Sequence, residues 1–170
     1  MAINDTYTRF QAIARAVNDY MVGNGWRSVS RSERSNGSIN FELTMNVEKM
    51  AFRTSIFVGR DPLYIRYTVT LPIVCSPEYS LIVDDFIAGY NYNLRIGSLK
   101  HDSSDGALEF EFAYATDNVF NISDFDSYFD ICLLSAAKVY PDISKLCVGR
   151  MSQSQMNAIM EKLTLLSSAL

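Results

Sequence analysis

Residues 91–114 read NYNLRIGSLKHDSSDGALEFEFAY, and their pattern constrains the fold more strongly than any other segment. Residues 94–101 predict a short strand, which leads into a polar turn at residues 102–106. Asp105-Gly106 favours a tight hairpin, because Gly adopts positive φ at no steric cost and Asp tolerates it. The second strand alternates, with Leu108, Phe110, Phe112 and Tyr114 on one face and Glu109 and Glu111 on the other. The segment therefore predicts a β-hairpin that buries one face.

Three further strands are predicted before this hairpin. Residues 39–47 alternate strictly between apolar and polar side chains, and residues 51–58 and 63–71 carry the same period of two. Strict alternation indicates that one face of a strand is buried while the other contacts water. The connections are short, so neighbouring strands are expected to pair antiparallel. The polar segment 27–38 could add a short irregular strand and a turn.

Helices are predicted before and after these strands in the sequence, because apolar residues recur there at three- and four-residue spacing. The first covers about residues 6–21. The second begins at Ser76-Pro77-Glu78, where Ser can cap the helix and Pro suits its first position. The third begins near Asn121 and is expected to end before Pro141, because Pro removes a helical hydrogen bond and clashes with the preceding turn.

The last helix begins at Ser152-Gln153-Ser154-Gln155, which is a capping-box pattern. The order of elements is therefore α-β-β-β-α-β-β-α-α. Strands with one apolar face and helices with one apolar stripe predict a two-layer α+β domain. We expect a single domain over residues 1–170, in which helices cover one face of an antiparallel sheet of about five strands.

Composition and charge exclude several classes of protein. A net charge of −4 over 170 residues argues against a general nucleic-acid binder, which needs a cationic face. The sequence has neither the pattern of a signal peptide nor a run of about 18 apolar residues, so a cytoplasmic protein without membrane association is expected. Cys75, Cys132 and Cys147 form no C-x-x-C pair and sit among apolar residues, which predicts reduced structural thiols. No glycine-rich phosphate loop or other cofactor motif is present.

Few residues are candidates for chemistry. His101 is the only histidine, and it lies beside Asp102 without a Gly-x-Ser-x-Gly motif, so a surface turn residue is expected and no catalytic role. Asp124, Asp126 and Asp130 lack the Gly of a calcium-binding loop, and acids at a helix start stabilise its dipole. The alternative that stays open is a small-molecule or metal site formed by the acids near Asp124 together with His101.

A partner surface is predicted from aromatic residues that fall out of phase. Phe57 and Tyr64 occupy positions that face away from the helices, and exposed aromatics on an open sheet face are typical of binding surfaces. Arg27 and Arg31, with Arg34, form a basic cluster near Trp26 that could contact an anionic partner. We therefore expect a protein partner, or a second copy of the chain, to bind at these residues.

The order of elements and several local features resemble the bacterial YbjN family, also called sensory-transduction-regulator-like, whose fold is that of the type III secretion chaperones. The features are the segment Asn93-Leu94-Arg95-Ile96-Gly97-Ser98-Leu99, the Asp105-Gly106 turn with the strand after it, Ile122-Ser123 at a helix start, Tyr140-Pro141-Asp142-Ile143, and Gly149 before a Ser-capped helix. The resemblance implies a non-enzymatic regulatory or chaperone-like protein. It also implies a homodimer, since the related secretion chaperones are dimers that bind partner chains.

Overall fold

A computed structural model of the chain describes residues 2–26, 30–116, 120–152, 154–159 and 161. Its centre is a six-stranded antiparallel sheet with the strand order β1-β2-β3-β4-β6-β5. The strands are β1 (Ser30–Glu33), β2 (Ile39–Val47), β3 (Met50–Arg60), β4 (Leu63–Val74), β5 (Ser98–Asp102) and β6 (Ala107–Ala115). The predicted α+β class and single antiparallel sheet are confirmed. The sixth strand, β1, lies in the polar segment whose structure the sequence left open.

The helices lie on one face of the sheet. They are α1 (Ala2–Gly23), a 3₁₀ turn (Pro77–Tyr79), α2 (Ser80–Tyr92) and α3 (Ile122–Cys147), followed by helical residues 154–159. The buried apolar residues of the helices and of the inward strand faces form one continuous core. Tyr67 of β4 lies at its centre, where its hydroxyl donates a hydrogen bond to the Phe125 carbonyl of α3 at 2.9 Å. This bond ties the longest helix to the middle of the sheet.

The predicted hairpin forms, although its first strand, β5, begins at Ser98 and not at residue 94. Asn91, in the last turn of α2, explains how this edge strand is held. The side-chain Nδ2 of Asn91 donates to the Leu99 carbonyl at 2.9 Å, while the Leu99 amide donates to Asn91 Oδ1 at 2.8 Å. One side chain of α2 therefore satisfies both backbone groups of a β5 residue, as a neighbouring strand would. An edge strand covered in this way does not offer those groups to another chain.

The turn of this hairpin is closed by its own side chains. Asp102 Oδ1 accepts from the Ser104 amide at 2.9 Å, and Asp105 Oδ1 accepts from the Ala107 amide at 2.9 Å. These bonds from Ser104, whose hydroxyl also donates, hold the pKa of Asp102 below its usual value. The Gly106 carbonyl accepts from the Cys75 amide at 2.8 Å, so the turn packs against the end of β4.

The predicted end of the third helix was wrong. α3 continues through Pro141 to Cys147, because its last turns bury Ile143, Leu146 and Cys147 in the core. Burial of these side chains outweighs the cost of one interior proline, which is about 3 kcal/mol. The predicted capping box is confirmed: the Ser152 amide donates to Gln155 Oε1 at 2.9 Å, and the Gln155 amide donates to Ser152 Oγ at 3.3 Å.

Replacing Asn91 with Ala is expected to lower the free energy of unfolding by about 2 kcal/mol, since it leaves two half-buried backbone groups of β5 without partners. Asn46→Ala is the matched control, because Asn46 is exposed on β2 and its truncation is expected to cost less than about 0.5 kcal/mol. Urea denaturation of both variants measures the difference. Equal losses would show that the Asn91 side chain does not hold the edge strand.

Candidate functional site

The face of the sheet opposite the helices is covered by no helix in the described ranges of the chain. Most of its side chains are polar, and Phe57 is the one large apolar residue there that is buried. Its side chain faces outward, as predicted, yet it is only 5% exposed and lies outside the continuous core. The expectation of an exposed Phe57 was therefore wrong, because neighbouring side chains cover the ring.

Two arginines and a tyrosine enclose Phe57. The guanidinium carbons of Arg34 and Arg66 lie 5.2 Å and 4.9 Å from the centroid of the Phe57 ring, close enough for cation–π attraction. The Tyr64 ring packs beside it, with centroids 5.6 Å apart and planes inclined by 40°. We call Arg34, Phe57, Tyr64 and Arg66 the Phe57 cluster.

A glycine makes room for the tyrosine of this cluster. Gly59 pairs directly with Tyr64 across β3 and β4, and a Cβ at position 59 would lie 2.7 Å from Tyr64 Cζ. The Tyr64 ring therefore lies flat over a glycine backbone. A glycine inside a strand is a sign that another group approaches closely, and this signal in the sequence could have located the cluster.

Charged residues surround the Phe57 cluster on the same face. Arg66 Nε lies 3.8 Å from Glu111 Oε2, and Lys100 Nζ lies 2.6 Å from Glu111 Oε1. Arg66 Nε is buried and has no hydrogen-bond partner among the described residues. Arg34 is exposed and makes no ion pair within the described part of the chain. The exposed guanidinium of Arg34 can therefore donate hydrogen bonds to the carboxylate of a partner.

The structure does not bring all the predicted partner-binding residues together. Phe57 and Tyr64 are neighbours, but Arg31 pairs with Phe41, whose side chain faces the helices. Arg31 lies beside α1, where it lines a cavity of about 240 Å³ with Arg15. Arg27 lies outside the described residues. Arg34, from the same basic segment, is the residue that reaches Phe57.

His101 is not the surface turn residue that the sequence predicted. Its side chain is 1% exposed, and its Nδ1 donates to Asp84 Oδ1 of α2 at 2.8 Å. His101 shares the phase of Leu99 on β5, so its ring faces the helices; this phase was readable from the sequence. Nε2 is buried without a hydrogen-bond partner in the described ranges. His101 therefore links the edge strand to α2.

The acidic residues of α3 have contact partners other than His101. Asp124 is exposed in the first turn, where its amide and that of Ser123 donate to the capping Asn121. Asp126 accepts a hydrogen bond from the Tyr20 hydroxyl, and burial with the nearby Asp126 charge raises the pKa of Asp130. Among the residues that the structure describes, no group of three His, Cys, Asp or Glu side chains could hold a metal ion.

The cavity at the hairpin is an open one. Its volume is about 420 Å³, and its lining comes from β5, β6 and their turn: Lys100, His101, Asp102, Ser103, Ala107, Glu109 and Glu111. None of these residues belongs to α3. A combined site of Asp124 and His101 would require a pocket between the hairpin and α3. The cavity at the hairpin is not that pocket.

Comparison with known proteins gives no relative to guide the interpretation: no family model and no curated protein matches the chain. Within the described ranges, none of the helices has both the length and the apolarity needed to cross a bilayer.

Stability is expected to fall as the pH rises above 9, because burial raises the pKa of the Cys132 thiol from 9.0 to about 12. Between these values the unfolded chain has lost the proton and the folded chain retains it, so raising the pH favours unfolding. Each such thiol lowers the free energy of unfolding by up to about 1.4 kcal/mol per pH unit. Cys147 behaves in the same way, with its pKa raised to about 12.

Urea denaturation between pH 7.5 and 10.5 measures this slope. Cys132→Ala should be less stable at neutral pH because it leaves a cavity, but its loss per pH unit should be smaller by about 1.4 kcal/mol. If the free energy of unfolding of this variant fell with pH as steeply as that of the wild type, Cys132 would have the same pKa in the folded and unfolded chain.

Proposed function

We propose that this chain is a non-enzymatic protein-binding domain, chaperone-like or regulatory, whose open sheet face binds its partner. The observation that carries the proposal is the Phe57 cluster: an aromatic ring enclosed by two guanidinium groups on a face that no described helix covers. Aromatic and arginine side chains dominate the energetics of protein interfaces. A cluster that is already packed in the free protein loses little side-chain entropy on binding.

The chemistry of the cluster favours a partner segment that carries carboxylates. Arg34 is exposed and lacks an acidic partner among the described residues, whereas Arg66 already lies near Glu111. A guanidinium group binds a carboxylate through two parallel hydrogen bonds, and the Arg34 guanidinium is already held over the Phe57 ring. An acidic peptide segment lying across β3 and β4 would therefore bind the exposed Arg34 guanidinium.

The resemblance to the YbjN family and the secretion chaperones supports the same function. Under that resemblance the chain would regulate or stabilise another polypeptide, and a homodimer would be the working form. A second copy of the chain is then the competing occupant of the open face. The two occupants are distinguishable, because only self-association changes the mass of the purified protein in solution.

Reversing the charge of Arg34 is expected to weaken partner binding at least tenfold, which corresponds to about 1.4 kcal/mol. The tagged chain would be expressed in its native host and its bound proteins quantified by mass spectrometry, for wild type, Arg34→Glu and Arg15→Glu. Arg15 is the matched control, because it is exposed on α1 at the other face and undergoes the same charge change.

Arg15→Glu should retain the partner. Equal capture by wild type and Arg34→Glu would contradict the proposed surface. Sedimentation velocity of the same three proteins tests the other occupant: a wild-type dimer that Arg34→Glu dissociates would assign the open face to a second copy instead of an acidic partner.

A further inference from the structure

Two cysteines that are distant in sequence meet at one end of the molecule. Cys75 follows β4 and Cys147 is the last residue of α3. They are 2% and 0% exposed, and burial together with the neighbouring Cys75 thiol raises the pKa of Cys147. The Ser76 amide donates to the Cys147 carbonyl at 3.3 Å, so the backbones also touch. Both thiols are free.

The backbone is fixed on both sides of this contact. Cys75 donates its amide proton to the Gly106 carbonyl at 2.8 Å, which anchors it to the hairpin turn. α3 ends in a glycine C-cap, where the Arg150 amide donates to the Lys145 carbonyl at 2.7 Å and the Gly149 amide donates to the Leu146 carbonyl at 3.0 Å. Gly149 has φ +65°, which this cap requires. Both chain segments are therefore held in place where the two cysteines meet.

We propose that Cys75 and Cys147 form an intramolecular disulfide when the protein meets a peroxide, which fastens the end of α3 to the junction of β4 and α2. One thiol attacks hydrogen peroxide, so that an O–O bond breaks, a sulfenic acid forms and one water leaves. The second thiol attacks that sulfur and displaces a second water. Two S–H bonds are lost, one S–S bond forms, and the peroxide is reduced by the two electrons that the thiols give up.

The surroundings of the pair determine how fast it reacts. Burial raises the pKa of both thiols, so few thiolates are present at neutral pH and the oxidation is slow. Its rate increases with pH as the thiolate fraction grows. The site therefore responds to sustained oxidation and not to a brief pulse. Cys132, which is buried elsewhere on α3, is an internal control.

The test treats the native protein with hydrogen peroxide at pH 8.5, then denatures it in N-ethylmaleimide and measures intact and peptide masses. We expect alkylation to fall from three cysteines to one, with a peptide linking Cys75 to Cys147. The melting temperature should rise on the order of 10 °C, since the cross-link closes a long loop, and dithiothreitol should reverse the rise. Cys132→Ser should still form the bond, whereas Cys75→Ser and Cys147→Ser should not.

Three results would overturn the proposal. One is full alkylation of all wild-type cysteines after treatment with peroxide and, separately, with diamide. The diamide treatment shows that the absence of a disulfide is not due to a slow reaction with peroxide. Another is a disulfide that involves Cys132 or joins two chains. The third is a bond that forms only when oxidation takes place in urea, because the native contact would then not be what pairs the sulfurs.

Discussion

Replacing Gly106 with Ala is expected to lower the free energy of unfolding by about 3–4 kcal/mol, which combines left-handed strain with steric overlap. Gly106 has φ +76°, and a Cβ there would collide with the Cys75 carbonyl oxygen and lie 2.8 Å from Val74 Cγ1. The obstructing carbonyl belongs to the backbone, so it cannot rotate away as a flexible side chain would. The substitution must either open the hairpin turn or move the end of β4.

The matched control for this variant is Gly25→Ala. Gly25 has φ +71°, but no atom lies within 4 Å of a Cβ at that position. It should therefore cost only the left-handed strain, about 1–2 kcal/mol. Urea denaturation followed by circular dichroism measures both losses. Similar losses at the two positions would show that the hairpin turn does not pack against β4.

The second large effect is expected at Tyr67, where Tyr67→Ala should lower the free energy of unfolding by about 4–5 kcal/mol. Tyr67 is fully buried, and its ring packs edge-on against Phe125 and Phe129 of α3, with centroids 5.4 Å and 5.8 Å apart. Truncation leaves a cavity between sheet and helix and removes the hydrogen bond to the Phe125 carbonyl. Tyr67→Phe removes only the hydroxyl, which also lies 3.5 Å from that of Tyr114, and should cost about 1 kcal/mol.

Tyr64→Ala is the control on the opposite face of the same strand. The Tyr64 ring is half-buried over Gly59 and contacts no helix residue of the continuous core, so its truncation should cost less than half as much as Tyr67→Ala. The chain contains one tryptophan, Trp26, whose ring lies 4.7 Å from that of Phe129. Its fluorescence therefore reports on the separation of the segment after α1 from α3. Equal costs at Tyr64 and Tyr67 would contradict a core confined to one face.

The sheet could be predicted from sequence because its strands obey a period of two that burial on one face imposes. Residues 39–47 and 107–115 carry that period without interruption, and both form strands. Pro141 misled the prediction, because a local rule about helix ends competes with burial of the residues that follow it. The proline cost is local, while the gain from Ile143 and Leu146 depends on tertiary packing that the local pattern does not reveal.

The candidate site could be predicted only in part. The phase of β3 and β4 places Phe57 and Tyr64 on the open face correctly. Whether Phe57 is exposed depends on the conformations of the Arg34 and Arg66 side chains, which cover its ring. The sequence pattern does not predict the conformations of such long, flexible side chains. The contact between Cys75 and Cys147 joins distant segments, so sequence spacing does not reveal it.

Site-specific photo-crosslinking in the native host tests whether the open sheet face is the binding surface. A photoreactive phenylalanine would replace Thr68, which lies on that face between Ser55 and Glu111, or Lys138, which is exposed on α3. We predict a crosslinked partner at Thr68 that is lost with Arg34→Glu, and none at Lys138. A partner captured at Lys138 but not at Thr68, or capture at Thr68 that Arg34→Glu leaves unchanged, would contradict the account.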